Sequence, residues 1–221
     1  EVGAGKLRFT QASEELAWAG SPTWQAPPSA VHAAGASQRM ANYQMAAAQL
    51  IAIKEGGGYS PVLARLAGLD LGLSWDAEQE RTWQAVRAAR QAMERNDADG
   101  IAHSLVPLLG RGSGLTPSGD DLAAGFLLAL NRWGAAWRAG LDRERLNVLL
   151  SEAALQRTTL LSANLVACAA QGEADERLIT ALDGLVTGAI PAQACAEALA
   201  VWGHSSGLDS MIGQGLMMIE D

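Results

Sequence analysis

From residue 38 onward, apolar positions recur every three or four residues, the period of helices packed on a core, whereas the first two dozen residues break that rhythm. Residues 38–55 are rich in Ala, Gln and Met and stop at Gly56-Gly57-Gly58. A short helix is expected at 60–67. Residues 76–95 place Trp83, Val86, Ala89 and Met93 on one stripe behind Asp76, a fitting N-cap. Another short helix is expected at 99–109. Thr116-Pro117 should start the next one, Thr as N-cap and Pro at the first helical position. Its apolar run at 122–130 is too continuous for a surface helix and predicts a central one. A long helix is expected over 142–170, stopping at Gly172, followed by helices at 175–187 and 191–202 and a last one from about Ser206.

Ahead of these, residues 6–11 and 15–24 carry short apolar stretches broken by Gly20-Ser21-Pro22, which read as a strand or two. The division expected is therefore the end of a β-rich element at 1–26 whose beginning lies upstream, a Pro-bearing linker at 27–37, and a helical domain at 38–221. The fold class is mainly α, a multi-helix bundle with a short N-terminal β segment.

Composition supports the pattern. The 221 residues are 49% hydrophobic, 18% charged and only 5% aromatic, with Ala and Leu dominant, a balance that favours helix over sheet. The formal net charge is −8 and no two Lys or Arg are adjacent, so neither nucleic acid nor an anionic membrane finds a basic footprint. A small anion remains compatible, because a few local cations and N–H groups suffice to hold one. Cys168 and Cys195 lie in apolar helical patterns and read as buried free thiols, and the Cys and His spacings do not match a zinc site. Neither a membrane span nor a signal peptide is legible, which points to the cytoplasm.

The most informative segment is GRGSGLTPSGDD, residues 110–121. Gly112 and Gly114 permit a tight path in which N–H groups converge, the following helix aims its positive dipole end at the same region, Thr116 and Ser118 add hydroxyls, and Arg111 adds a cation. Together these describe an anion cradle, though neither a Walker A loop nor a dinucleotide fingerprint. Asp120 and Asp121 both fit a first helical turn, where the dipole favours carboxylates. A functional pair beside a bound anion implies a bridging Mg²⁺, a general base, or a hydrogen bond to a neutral amide; no cofactor is fixed by the sequence. Asp121 is the one expected to face inward.

GHSSGLD, residues 203–209, repeats the scheme. Ser118-Gly119-Asp120-Asp121 and Ser206-Gly207-Leu208-Asp209 share S-G-x-D, and Gly125 and Gly213 each follow the shared Asp by one helical turn. The two helices are expected to cross in parallel at these glycine notches, bringing Asp121 and Asp209 to one pocket. His204, with Ser205 and Ser206 beside it, has the titration range of a general acid or base. A third element, Thr158-Thr159 with Ser162 inside the expected long helix, is costly there unless Thr158 and Ser162 serve a contact on one face.

With GRGSGLTPSGDDLAAGFLLA, TTLLSANLVACAAQG and GHSSGLDSMIGQGL in this order, the chain resembles a bacterial family long labelled as carboxylases, which includes the AllH subunit of oxamate carbamoyltransferase. The resemblance implies carbamoyl transfer between carbamoyl phosphate and oxamate, giving oxalurate in allantoin breakdown, performed together with other subunits. On that view Arg111, Gly112, Gly114, Thr116, Ser118, Asp120, Thr158, Ser162, Ser205 and Ser206 hold a small anionic substrate, and Asp121, His204 and Asp209 are catalytic. Two other readings stay open: a non-catalytic anion-sensing or scaffold subunit, and a carboxylase component.

Overall fold

A computed structural model describes residues 2–3, 6–8, 15–21, 25–29 and 32–219. Three short strands, β1 (Val2–Gly3), β2 (Lys6–Arg8) and β3 (Glu15–Ala17), form an antiparallel sheet in that order, with Leu7 opposite Leu16. Lys6 and Glu15 pair across it at 2.7 Å. Of the stretches expected to be extended, 9–11 and 22–24 lie outside the described residues.

The remainder is helical: α1 (Ala36–Ile53), α2 (Ser60–Leu66), α3 (Ala77–Glu94), α4 (Ala98–Leu105) continued by a 3₁₀ turn (Val106–Leu108), α5 (Ser118–Trp137), α6 (Arg143–Arg157), α7 (Leu160–Ala169), α8 (Glu176–Thr187), α9 (Ala192–Ala200) and α10 (Ser206–Met218). The protein is thus mainly α, a helical bundle. The caps follow local chemistry. Asp76 accepts from the Glu78 and Gln79 amides while Gln79 answers its backbone N–H, a complete capping box for α3. Gly188 ends α8 in the left-handed region.

Two expectations need correcting. The helix foreseen at 142–170 is broken at Thr158-Thr159 into α6 and α7. Thr158 is extended (φ −133°, ψ −174°) and its hydroxyl donates to Asp120, while Thr159 caps α7 by accepting from the Ser162 amide and donates to the Leu115 carbonyl at 2.7 Å. Hydroxyls that find such partners compete with the helix, so the pair that looked expensive inside a helix ends one instead. Thr158 and Ser162 therefore do not share a helical face. The second correction concerns α5: it begins at Ser118 with Pro117 in the cap position, and the Thr116 side chain does not cap it.

At the centre, α5 and α10 lie buried side by side. Every residue of α10 from Gly207 to Met218 is buried. An added Cβ at Gly125 would meet the Ser210 carbonyl, and one at Gly213 would meet the Leu122 carbonyl, so backbone touches backbone at both glycines. Around this pair, Asp183 of α8 accepts from Arg132 (2.5 Å) and from the Trp133 indole (2.8 Å), tying α5 to the opposite side of the bundle. Cys195 is a buried free thiol as foreseen; Cys168 is free but only half-buried, because it lies on the partly open side of α7.

Candidate functional site

Two helix starts meet at one end of the α5–α10 pair. The Thr116 and Ser206 hydroxyls lie 3.2 Å apart, the Thr116 and Ser206 hydroxyls both bear on Asp121, and Ser118 and Ser205 bear on Asp209. Each serine of the S-G-x-D motif thus attends the aspartate of the other helix. Gly125 against Ser210 and Gly213 against Leu122 exchange under the same offset that maps Ser118 onto Ser206. Gly119 and Gly207 are also matched, each pressed on the carbonyl that closes a preceding helix, Leu108 and Leu199. The two helices run parallel and their first turns are related by an approximate two-fold exchange.

The first glycine turn is held from beneath. Asp120 is buried, and its carboxylate accepts from the Gly110 amide at 2.7 Å and from the Thr158 hydroxyl. Gly112 takes φ 111°, and a Cβ there would stand 2.6 Å from the Ser118 nitrogen, so the turn closes only on glycine. The amides of Gly112, Ser113, Gly114, Leu115 and Thr116 have no acceptor among the described residues. Gly114, at φ 95°, meets nothing within 4 Å.

A cleft of about 460 Å³ opens between the two turns and the end of α1. Ser113 and Ser118 line it from the first turn, His204, Ser205 and Leu208 from the second, and Lys54, Glu55 and Gly58 from the third side. Lys54 donates to the Ala200 carbonyl at 2.7 Å and the Gly203 carbonyl at 3.1 Å, which stations its ammonium at the cleft. A separate hollow of about 350 Å³, beside Arg65 and Trp75, lies away from both glycine turns, and its one carboxylate is Asp70.

Neither Asp121 nor Asp209 lines the cleft: Asp209 stands behind Ser118 and Ser205, and Asp121 borders a separate small hollow with Ser210, Leu178 and Trp202. Asp209 is fully buried and neither of its oxygens has a hydrogen-bond partner; Asp121 is 4% exposed and its Oδ2 is unpartnered. Burial pushes both well above the ordinary carboxylate range, to about 7. The Ser118 and Ser205 hydroxyls oppose the shift at Asp209 without reaching ordinary hydrogen-bond geometry, the charge of Asp121 adds to it, and Lys54 opposes it. At Asp121 the Ser206 and Thr116 hydroxyls oppose it and the Asp120 charge adds to it. Tyr59 stands close enough for Asp209 to affect it, and burial first of all pushes its hydroxyl up to about 12.

Of the residues singled out from the sequence, Ser118, His204 and Ser205 line the cleft; Asp209 lies behind Ser118 and Ser205, and Asp121, with Thr116 and Ser206 against it, lines the separate hollow beside Trp202. Gly112 and Gly114 shape the turn beside the cleft. Others are elsewhere. Arg111 is exposed, donating to the Pro107 carbonyl at 2.8 Å and standing 4.0 Å from Glu78, and it does not line the cleft. Thr158 reaches the site only through Asp120, and Ser162 is buried at the start of α7. Lys54 and Ser113 were not anticipated. Lys54 had a readable signal: it is one of two lysines in a chain that otherwise uses arginine, and it stands just before Gly56-Gly57-Gly58.

Among comparisons with known proteins, the family described as oxamate carbamoyltransferase subunit AllH matches residues 108–218, half of the chain. The match runs through both glycine turns and all of α5 and α10, and Lys54 lies outside it. Neither a curated protein nor a solved structure matches.

Proposed function

This chain belongs to the AllH family, and on that footing we propose that it contributes a small-anion cleft to an oxamate carbamoyltransferase assembled with other subunits. The observation that carries the reading is the cleft itself: Ser113, Ser118, Ser205, Lys54 and His204 line it between two helix N-termini, with Glu55 at its rim. Helix N-termini and free amides favour anions, and carbamoyl phosphate, oxamate and oxalurate are all small anions.

In the reaction, the oxamate amide nitrogen attacks the carbamoyl carbon, the carbon–oxygen bond to phosphate breaks, phosphate leaves, and the nitrogen gives up a proton. Negative charge grows on the carbamoyl oxygen and on the departing phosphate, where fixed N–H and hydroxyl donors stabilise it. Lys54 holds the phosphate or carboxylate, and His204 receives the proton. Asp209, wholly buried, acts through the Ser118 and Ser205 hydroxyls as a positioning residue. Asp121 stands in the same relation to Ser206 and Thr116.

The test is calorimetric titration of the purified chain with carbamoyl phosphate, oxamate and inorganic phosphate, repeated for Lys54→Met and Ser118→Ala. Binding of at least one anion, weakened about tenfold or more by Lys54→Met, is expected. An anion that binds equally well to both variants removes the cleft from consideration. His204→Ala then separates catalysis from anion sensing in the assembled enzyme: turnover falls if His204 moves the proton and is unchanged if the chain only senses.

A further inference from the structure

The two buried carboxylates lack something. Three of their four oxygens, Oδ2 of Asp121 and both of Asp209, are buried and make no hydrogen bond of ordinary geometry, although hydroxyls stand against each carboxylate. Asp120, one residue from Asp121, shows the usual arrangement, with each oxygen bonded. Uncompensated buried charge is expensive, and a carboxylate pair adds mutual repulsion to desolvation. Lys54, whose charge reaches Asp209, donates to the Ala200 and Gly203 carbonyls and not to the carboxylate.

We propose that Asp121 and Asp209 bind one divalent cation of the oxygen-ligated class, Mg²⁺, Mn²⁺ or Ca²⁺, between the first turns of α5 and α10. The approximate two-fold exchange sets one carboxylate from each helix toward the meeting point, and each comes with hydroxyls, Ser206 and Thr116 at Asp121, Ser118 and Ser205 at Asp209. That makes a set of hard oxygen ligands of the number such ions take. A shared proton answers at most two of the three unmet oxygens, whereas a cation answers all of them. The described residues contain no group of three or more His, Cys, Asp or Glu that could hold a metal, so this ion would rest on two carboxylates and neutral oxygens, a set that suits an oxygen-ligated ion and not a thiolate- or imidazole-preferring one.

The proposal is independent of the anion cleft: cation binding without anion binding, or the reverse, separates the two. The full chain, stripped with chelator, is titrated calorimetrically with MgCl₂, MnCl₂ and CaCl₂, and its melting temperature is followed at constant ionic strength. One ion per chain is expected, with a melting temperature raised by about 5 °C or more at saturation. Asp209→Asn should weaken binding at least tenfold. Ser206→Ala, which keeps both carboxylates and serves if Asp209→Asn does not fold, should weaken it severalfold. No response to any divalent ion beyond the ionic-strength control overturns the proposal, as does binding that both variants leave unchanged. A chain that ignores divalent ions yet gains stability between pH 8 and pH 6 holds a shared proton there instead, and that result also overturns it.

Discussion

The parallel crossing of α5 and α10 makes a sharp demand on Gly213. A Cβ there would stand 2.5 Å from the Phe126 nitrogen and 3.0 Å from the Gly125 carbonyl carbon, and would collide with the Leu122 carbonyl. These are backbone atoms of a buried helix and cannot rotate away, so Gly213→Ala must push the two helices apart. Alanine is the better helix former by about 1 kcal/mol. Against that stands overpacking at a site with no flexible neighbour, about 3 kcal/mol. The net loss is about 2 kcal/mol, or roughly 4–8 °C in melting temperature for a chain of this size. Gly35→Ala is the control, since nothing lies within 4 Å of its Cβ position. Gly125→Ala should cost about as much as Gly213→Ala, because its Cβ would stand 2.7 Å from the Ser210 carbonyl carbon. The double variant should cost less than the sum, because one separation of the helices relieves both clashes. Thermal denaturation of the wild type and the four variants decides the matter. A Gly213→Ala protein as stable as the wild type would refute the crossing as described.

Three further outcomes follow from the same contacts. Asp120→Ala leaves the Gly110 amide and the Thr158 hydroxyl without their acceptor, so stability should fall by about 2–3 kcal/mol and hydrogen exchange at Gly110 should quicken; an unchanged exchange rate counts against the tie. Asp183→Asn breaks the pair with Arg132, whose side chain is only 4% exposed, and should cost about 3 kcal/mol in chemical denaturation, with less than 1 kcal/mol contradicting it. With divalent ions chelated, Asp121 and Asp209 keep protons in the folded chain up to about pH 7 that the unfolded chain releases near 3.8. The folded state then binds more protons across that window, so these two groups make stability fall as pH rises from about 4 to about 7. Asp209→Asn should flatten the fall in denaturation profiles, and a wild-type profile no steeper than that of the variant would exclude it.

Legibility in the sequence followed the range of the interaction. Helix positions depend on local periodicity and caps, so the N-cap at Asp76 and the stop before Gly172 were readable from neighbours alone. The S-G-x-D repeat was readable because its five positions carry both the polar tip and the glycine notch, and its consequence, two first turns in contact, rests on that geometry. The break at Thr158-Thr159 was not, because what ends the helix is Asp120, distant in sequence, competing for the Thr158 hydroxyl. Lys54 was missed for the same reason: the Gly56-Gly57-Gly58 run explains itself as a helix stop, and only the fold brings the end of α1 to the carbonyls of Ala200 and Gly203. Arg111 misled because a cation in a glycine turn looks poised for an anion, whereas its guanidinium binds the Pro107 carbonyl.

Charge at the meeting point of α5 and α10 links the cleft to what lies behind it. Two parallel helices with adjacent N-termini bring together two positive dipole ends, each equivalent to about half an elementary charge, which repel one another and attract anions. One carboxylate would balance both ends, yet Asp120, Asp121 and Asp209 supply three, so the first turns together carry an excess of about two negative charges if all are ionised. Such an excess close behind a cleft that Glu55 already borders, beside its hydroxyls and Lys54, would work against a bound anion. A divalent cation between the carboxylates would cancel that excess and remove its repulsion of the anion. Anion affinity in the cleft should therefore rise when the cation is supplied and fall when it is chelated. Equal anion affinity in the two conditions would leave the cleft working without help from the aspartates.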